Sequence, residues 1–203
     1  NFIDIINKYS AEDIKKSIYK KTEKDVQKAL ASSKRDIEDF KALISPSAEK
    51  YIEQMAQESF KLTQKRFGKT IQLYIPVYLS NFCENSCIYC GFNVRNNIPR
   101  KLLSEEEIIK EISVIKEFGF EHILLVTGES NKRAGIDYFK RVFDIIKPYF
   151  SLISIEVQPL EQKDYEELIA LGLNTVYLYQ ETYIKEAYPK YHPKGKKSDY
   201  ENR

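Results

Sequence analysis

Two stretches of the chain, EFGFEHILLV (residues 117–126) and ALGLNTVYLY (residues 170–179), share one grammar. Each runs from a helix end through a glycine, an apolar residue and two spacers into a strand of buried type. Gly119 and Gly172 are 53 residues apart with one further strand–helix unit between them, so each unit takes about 26 residues. Strands alternating with single helices predict a parallel sheet with right-handed crossovers. A closed eight-stranded barrel of this kind needs roughly 250 residues. Ile71 to Arg203 supplies 133, room for about half of one. An open doubly wound sheet fits the strand count equally well, although its phosphate fingerprint G-x-G-x-x-G is absent.

The elements follow from local signals. Residues 1–68 read as a helical extension, with apolar steps of three and four at Val26 and Leu30 and again at Ile37, Phe40, Leu43 and Ile44. Thr22 and Glu23 open one helix, Pro46 sits in the first turn of another running to about Phe67, and Gly68 ends it. From residue 69 the pattern changes. IQLYIPVYL (residues 71–79) predicts a first strand and His122–Val126 a second; Leu152–Val157 and Thr175–Tyr179 predict the third and fourth. Between them lie helices from the S-x-x-E capping box at Ser104 and Glu107 to about Phe118, over Tyr138–Ile146, and over Gln162–Leu171.

Thirty-two basic and 30 acidic residues leave a net charge of +2, which supplies no electrostatic attraction to nucleic acid or an acidic membrane surface. No run approaches the roughly 18 apolar residues of a membrane span, and NFIDIINKYS lacks the basic and apolar regions of a secretion signal. The expectation is a cytoplasmic chain with no nucleic acid and no membrane as partner. With no initiator Met and a polar closing stretch, KGKKSDYENR, the sequence is also expected to be truncated at one or both ends.

All three cysteines fall within CENSCIYC, directly after the first predicted strand. So close a set, odd in number, makes no disulfide framework. Three thiolates spaced C-x3-C-x2-C can converge on one metal centre, the alternative being unligated cysteines, and soft sulfur selects zinc, copper(I) or an iron–sulfur cluster. Structural zinc wants four ligands, and a cluster usually has four cysteines. Three leave one iron open to a substrate or cofactor. Polar groups also follow the other strands: Thr127-Gly128-Glu129, then Glu156-Val157-Gln158, then Gln180-Glu181. In a parallel barrel the active site sits at these carboxyl ends.

The cysteine spacing, with Tyr89 just before the last thiol, resembles the signature of the radical S-adenosylmethionine superfamily. The resemblance implies a [4Fe–4S] cluster on Cys83, Cys87 and Cys90 whose open iron binds S-adenosylmethionine, reductive cleavage of which releases a 5′-deoxyadenosyl radical. Thr127-Gly128-Glu129 is similar to the family's glycine-glutamate motif, which receives the cofactor's ammonium. The fold implied is an N-terminal helical layer followed by about four β/α units, the first half of a TIM-like radical SAM barrel.

Within that superfamily, YLSNFCENSCIYCGF, GFEHILLVTGE, EVQPL, YQETY and HPKGKK resemble the tyrosine lyases of thiamine biosynthesis over essentially the whole chain. Hydrogenase-maturation tyrosine lyases share YQETY and the cysteine spacing, and Ile184 stands where both groups usually carry His. The resemblance implies cleavage of the Cα–Cβ bond of L-tyrosine to 2-iminoacetate and p-cresol. It also implies thiazole synthase as partner and a low-potential electron donor such as flavodoxin or ferredoxin. Glu156 and Gln158, two apart on one strand, are expected to share a face and, with Gln180 or Glu181, to contact cofactor or substrate. His122 is expected to be a satisfied structural histidine, and Lys194, Lys196 and Lys197 a solvated charge run. The class-level alternative is a zinc-binding structural module without catalysis.

Overall fold

The computed structural model describes residues 2–202. Two compact units divide the chain, Asn1–Ile71 and Gln72–Arg203. The first is helical: α1 (Phe2–Ile6), α2 (Ala11–Tyr19), α3 (Glu23–Ala31), α4 (Ile37–Leu43), a 3-10 turn (Pro46–Tyr51) and α5 (Ile52–Phe67). Thr22 and Asp36 each close a capping box, with Asp25 and Asp39, so the first turns of α3 and α4 find partners for N–H groups that a helix start leaves open. Pro46 opens a 3-10 turn, and α-helix proper begins only at Ile52. The unit's core is small: Val26, Ala29, Ala42 and Ala48, flanked by Leu30, Leu43, Tyr51 and Met55. Arg35 ties it together. Its guanidinium donates to both oxygens of Glu58, at 2.9 and 2.8 Å, and to the carbonyls of Ala29 and Leu30.

The second unit carries β1 (Ile75–Ser80), α6 (Glu105–Glu117), β2 (His122–Thr127), α7 (Ile136–Ile146), β3 (Leu152–Glu156), α8 (Gln162–Leu171), β4 (Leu173–Val176) and α9 (Tyr188–Tyr191), followed by two short 3-10 turns. The strands form one parallel sheet in strict sequence order, β1-β2-β3-β4. That order separates the two expected architectures. A doubly wound sheet reverses its strand order and carries helices on both faces. Here Val77, Leu79, Ile123, Leu125, Ile153 and Ile155 point to one face and share one core with Ile108 and Ile112 of α6, Phe139 and Phe143 of α7 and Leu168 of α8. The opposite face carries the alternate residues Tyr78, Val126 and Glu156, which lie in one lateral row because Tyr78 pairs with Val126 and Val126 with Glu156. A sheet that grows in sequence with helices on one face is an arc of a β/α barrel.

All four strands differ from the sequence expectation at one or both ends, β2 only by the addition of Thr127. β1 starts at Ile75 because its ladder with β2 starts there, opposite Ile123; Ile71, Leu73 and Tyr74 stay exposed. β3 stops at Glu156. β4 is correspondingly early, Leu173–Val176, since Val176 already meets Ile155 and only one further bond, Tyr177 N–H to the Ile155 carbonyl at 2.8 Å, extends it. A run of apolar residues does not say where its neighbour ends. The α7 start moves back to Ile136, with Gly135 as its cap.

Phe139 is fully buried at the middle of this core, whereas Val114 on α6 is half exposed. Phe139→Ala is expected to destabilise the chain by about 3–5 kcal/mol, and Val114→Ala to stay within about 0.5 kcal/mol. Urea unfolding midpoints at constant m-value check both.

Candidate active site

The carboxyl end of the sheet opens into a cavity of about 240 Å3 whose lining includes Cys83, Cys87 and Cys90. Thr127, Gly128, Glu129, Glu156, Glu181, Lys197 and Tyr89 line it too, with Tyr78, Phe92, Val126, Val157 and Leu178 among its apolar walls. The cysteine loop that follows β1 has no regular secondary structure, so other loops must hold it. Three do. Gly128 N–H donates to the Ser80 carbonyl at 2.9 Å and Glu84 N–H to the Glu129 carbonyl at 2.9 Å, joining the loop to the β2 end. Ser86 N–H donates to the Lys194 carbonyl at 3.0 Å and Ile88 N–H to that of Tyr191 at 3.1 Å, joining it to the segment after α9. Arg100 closes the exit: its guanidinium donates to the carbonyls of Asn81, Phe92, Asn93 and Asn96 at 2.7 to 3.1 Å.

Asn85 lies at the centre of this arrangement and is almost fully buried. Its amide donates to the Glu129 carboxylate at 2.7 Å, and its amide oxygen accepts from the Lys197 N–H at 2.8 Å. Close approach is allowed by two glycines. A Cβ on Gly128 would meet the Phe82 carbonyl oxygen at 2.4 Å, and one on Gly195, whose φ is +103°, would meet the Asn85 amide oxygen at 2.3 Å.

The predicted site residues separate into two groups. The three cysteines, Tyr89, Thr127, Gly128, Glu129, Glu156 and Glu181 share the cavity. Gln158 and Gln180 do not. Glu156 ends β3, so the alternation that was to put Gln158 on the same face no longer applies. The Gln158 side chain instead donates to the Ala134 carbonyl at 2.7 Å and lies 3.5 Å from the Thr127 hydroxyl. Gln180 donates to the Tyr200 carbonyl at 3.1 Å. Ile184 is exposed and lies outside the cavity lining.

Lysine 197 corrects the expectation of a solvated run. Its side chain is 13% exposed, lines the cavity and pairs with Glu181 at 3.1 Å. Glu181 has φ 72°, a backbone region that a non-glycine residue occupies only when its surroundings impose it. His122 is also unlike the expectation, since its Nδ1 is buried with no hydrogen-bond partner. Burial pushes the Cys87 thiol up, with the Lys197 ammonium pulling the other way. Burial, then the nearby Cys87, pushes the Tyr89 hydroxyl above the usual phenol range, so it stays a donor.

The donor set fits an iron–sulfur cluster with an open position. Three soft thiols face one cavity, the chain holds three cysteines in all, and none is in a disulfide. Neither histidine is placed to serve as a fourth ligand. His122 begins β2, at the sheet end opposite the cysteines, and both ring nitrogens of His192 are engaged, by Tyr89 and by the Tyr188 carbonyl. Among the described residues no three His, Cys, Asp or Glu side chains are gathered as ligands of a single ion.

A sequential parallel β/α arc with three cysteines on the loop after its first strand defines a radical SAM protein, and the chain belongs to that superfamily, whose sequence profile matches residues 77–203. Its cofactors are accordingly a [4Fe–4S] cluster and S-adenosylmethionine. The chain is 48% identical to 2-iminoacetate synthase of Escherichia coli (strain K12) over 93% of its length, and 46% identical to that of Salmonella typhimurium over 98%. These alignments cover 50% and 53% of the two enzymes, so the chain spans about half the length of the curated relatives it matches. The solved structure of HydG, a maturase of the [FeFe]-hydrogenase, superposes with a TM-score of 0.84 at 28% identity, covering 94% of this chain and 45% of that one. No described helix is long and apolar enough to cross a membrane.

Gly91, next to Cys90, has nothing within 4 Å of an added Cβ, unlike Gly128 and Gly195. Gly128→Ala and Gly195→Ala are each expected to cost about 1–3 kcal/mol and Gly91→Ala less than about 0.5. Thermal unfolding of the cluster-free chain makes the comparison.

Proposed function

We propose that the protein is a carbon–carbon lyase that cleaves the Cα–Cβ bond of L-tyrosine to 2-iminoacetate and p-cresol for thiamine thiazole synthesis. What carries the reading is 46–48% identity to 2-iminoacetate synthases along a stretch that folds three thiols around one cavity, with no fourth ligand gathered there among the described residues. In this reading Cys83, Cys87 and Cys90 hold the cluster. When bound, the cluster and S-adenosylmethionine supply the 5′-deoxyadenosyl radical that takes hydrogen from the tyrosine amino group, leaving 5′-deoxyadenosine and methionine.

The chain's own residues bind and orient. Three carboxylates, Glu129, Glu156 and Glu181, face the cavity against the single lysine, Lys197, which suits a ligand bearing a sulfonium and an ammonium. Glu129 is aimed by Asn85 and receives the ammonium, together with the backbone of Thr127 and Gly128. Among the described residues no hydrogen bond or ion pair reaches the Glu156 carboxylate, so it is available to a ligand hydroxyl or ammonium. Tyr89, Tyr78, Phe92, Val126 and Val157 form walls that keep water from a reactive intermediate. Gln158 and Gln180 shape the loops and do not touch ligand. Residues 1–68 form a helical extension and 69–203 the catalytic barrel portion. The imine product passes to thiazole synthase, and a flavodoxin or ferredoxin donates the electron in the cytoplasm.

The likeness to HydG favours a second reading, a hydrogenase-maturation lyase acting on the same substrate. Anaerobic reconstitution of the full chain, followed by reduction with S-adenosylmethionine and tyrosine, distinguishes the outcomes. About four irons per chain, p-cresol and 2-iminoacetate are expected. Carbon monoxide and cyanide would move the protein to the second reading, and a colourless chain with one zinc would end both. Alanine at any one of the three cysteines is expected to reduce bound iron to below about one per chain.

A further inference from the structure

His192 is fully buried, yet it belongs to neither the sheet nor the hydrophobic core beneath it. Its Nδ1 lies 3.1 Å from the Tyr188 carbonyl oxygen, which can only accept, so Nδ1 carries the proton. Nε2 is then an acceptor, and the Tyr89 hydroxyl donates to it at 2.7 Å. The imidazole packs against the Tyr188 ring with centroids 4.1 Å apart and meets the Tyr89 ring edge-on at 5.5 Å. Tyr188 is itself fixed, since its hydroxyl donates to the Lys197 carbonyl at 2.7 Å and its ring meets Tyr200 at 5.1 Å. The tautomer, position and orientation of His192 are therefore set before any ligand arrives.

What His192 holds is one wall of the cavity. Tyr89 stands between the ligands Cys87 and Cys90, and its ring lines the cavity with the Lys197 ammonium 5.9 Å from its centroid. A tyrosine on an irregular loop keeps rotamer freedom that binding must remove, and a hydroxyl tied to a fixed acceptor removes it in advance. We propose that His192 is a positioning residue, which through the Tyr89 hydroxyl sets the angle at which the Tyr89 ring meets S-adenosylmethionine. The proposal rests on the reading that this cavity receives that cofactor. It assigns His192 no proton transfer and no contact with iron.

The test measures S-adenosylmethionine affinity by equilibrium dialysis and by the change it induces in the electron paramagnetic resonance spectrum of the reduced cluster. The full chain is used, with iron counted in parallel. Tyr89→Phe and His192→Ala are each expected to keep the wild-type iron content and weaken binding about five- to tenfold. The double variant is expected to be no weaker than either single one, because both remove the same bond. His192→Gln, whose amide oxygen can accept from the Tyr89 hydroxyl, is expected to recover most of the affinity. Unchanged affinity in Tyr89→Phe, or additive losses in the double variant, overturns the proposal. Should His192→Ala fail to fold, Tyr89→Phe alone decides, since it removes the hydroxyl and leaves the ring. A wild-type chain that holds iron without binding S-adenosylmethionine would instead remove the reading beneath it, a different result from wild-type binding with unaffected variants.

Discussion

The Asn85 side chain is the interaction on which the rest of the site depends. A loop of eight residues holding three thiols cannot satisfy its own backbone, and no helix or strand does so for it. Asn85 spends both ends of its amide on partners far away in sequence, the Glu129 carboxylate and the Lys197 N–H. It is almost fully buried, and removing it would take one partner from a carboxylate and one from a backbone N–H, both partly shielded from water. One primary amide, with a donor and an acceptor about 2 Å apart, is the group that can join an acidic loop to a backbone N–H at once. Aspartate there would set two carboxylates against each other, and leucine would fill the space while satisfying neither.

The sheet's part is to bring those distant partners to one end. Because every strand is parallel and adjacent to its predecessor, every β-to-α loop emerges on the same side, and each unit adds one loop beside the last. The cysteine loop after β1 is therefore next to the Thr127–Glu129 loop after β2, which is how Glu84 and Glu129 come to share a backbone bond. The segment after β4 is reached differently. It crosses back over the cavity, and its contacts with residues 85–88 span more than 100 residues. Long loops of this kind cost little extra closure entropy per added residue, but they need side-chain bonds to define their course. Gly195, packed against Asn85, and the buried Tyr188 supply them.

Much of this was legible in residue order, and what was not has a common cause. The repeated helix–glycine–strand junctions give the units, the Ser104–Glu107 box gives the start of α6, and the thiol spacing gives the metal chemistry, because each signal lies within a few consecutive residues. Asn85, Arg100, Lys197 and His192 carry no such signal. Each acquires its role from a partner on another loop. Lys197 looks solvated beside Lys194 and Lys196 until the backbone turn at Glu181 presents a carboxylate to it. Strand alternation puts Glu156 and Gln158 on one face only while the strand lasts, and β3 ends between them. A hydroxyl–imidazole bond across 103 residues has no signature short of the fold itself.

The charge balance of the cavity shows why the residues on these separate loops matter. Three carboxylates and three thiols surround a small, partly buried volume, and the carboxylates, with any thiolates, repel one another there. Each is handled in its own way. Glu181 is paired with Lys197, Glu129 is held by Asn85, and in the proposed reading the thiolates are the share that a cluster would neutralise. That leaves Glu156, at the end of the row Tyr78–Val126–Glu156, with no partner among the described residues. Because the Asn85 amide is neutral, it positions Glu129 without discharging it, so Glu129 and Glu156 together leave the cavity suited to a cation. In the proposed reading sulfonium and ammonium groups supply that positive charge in a way that neutral ligands cannot, so selection among ligands would begin with charge before any contact of shape.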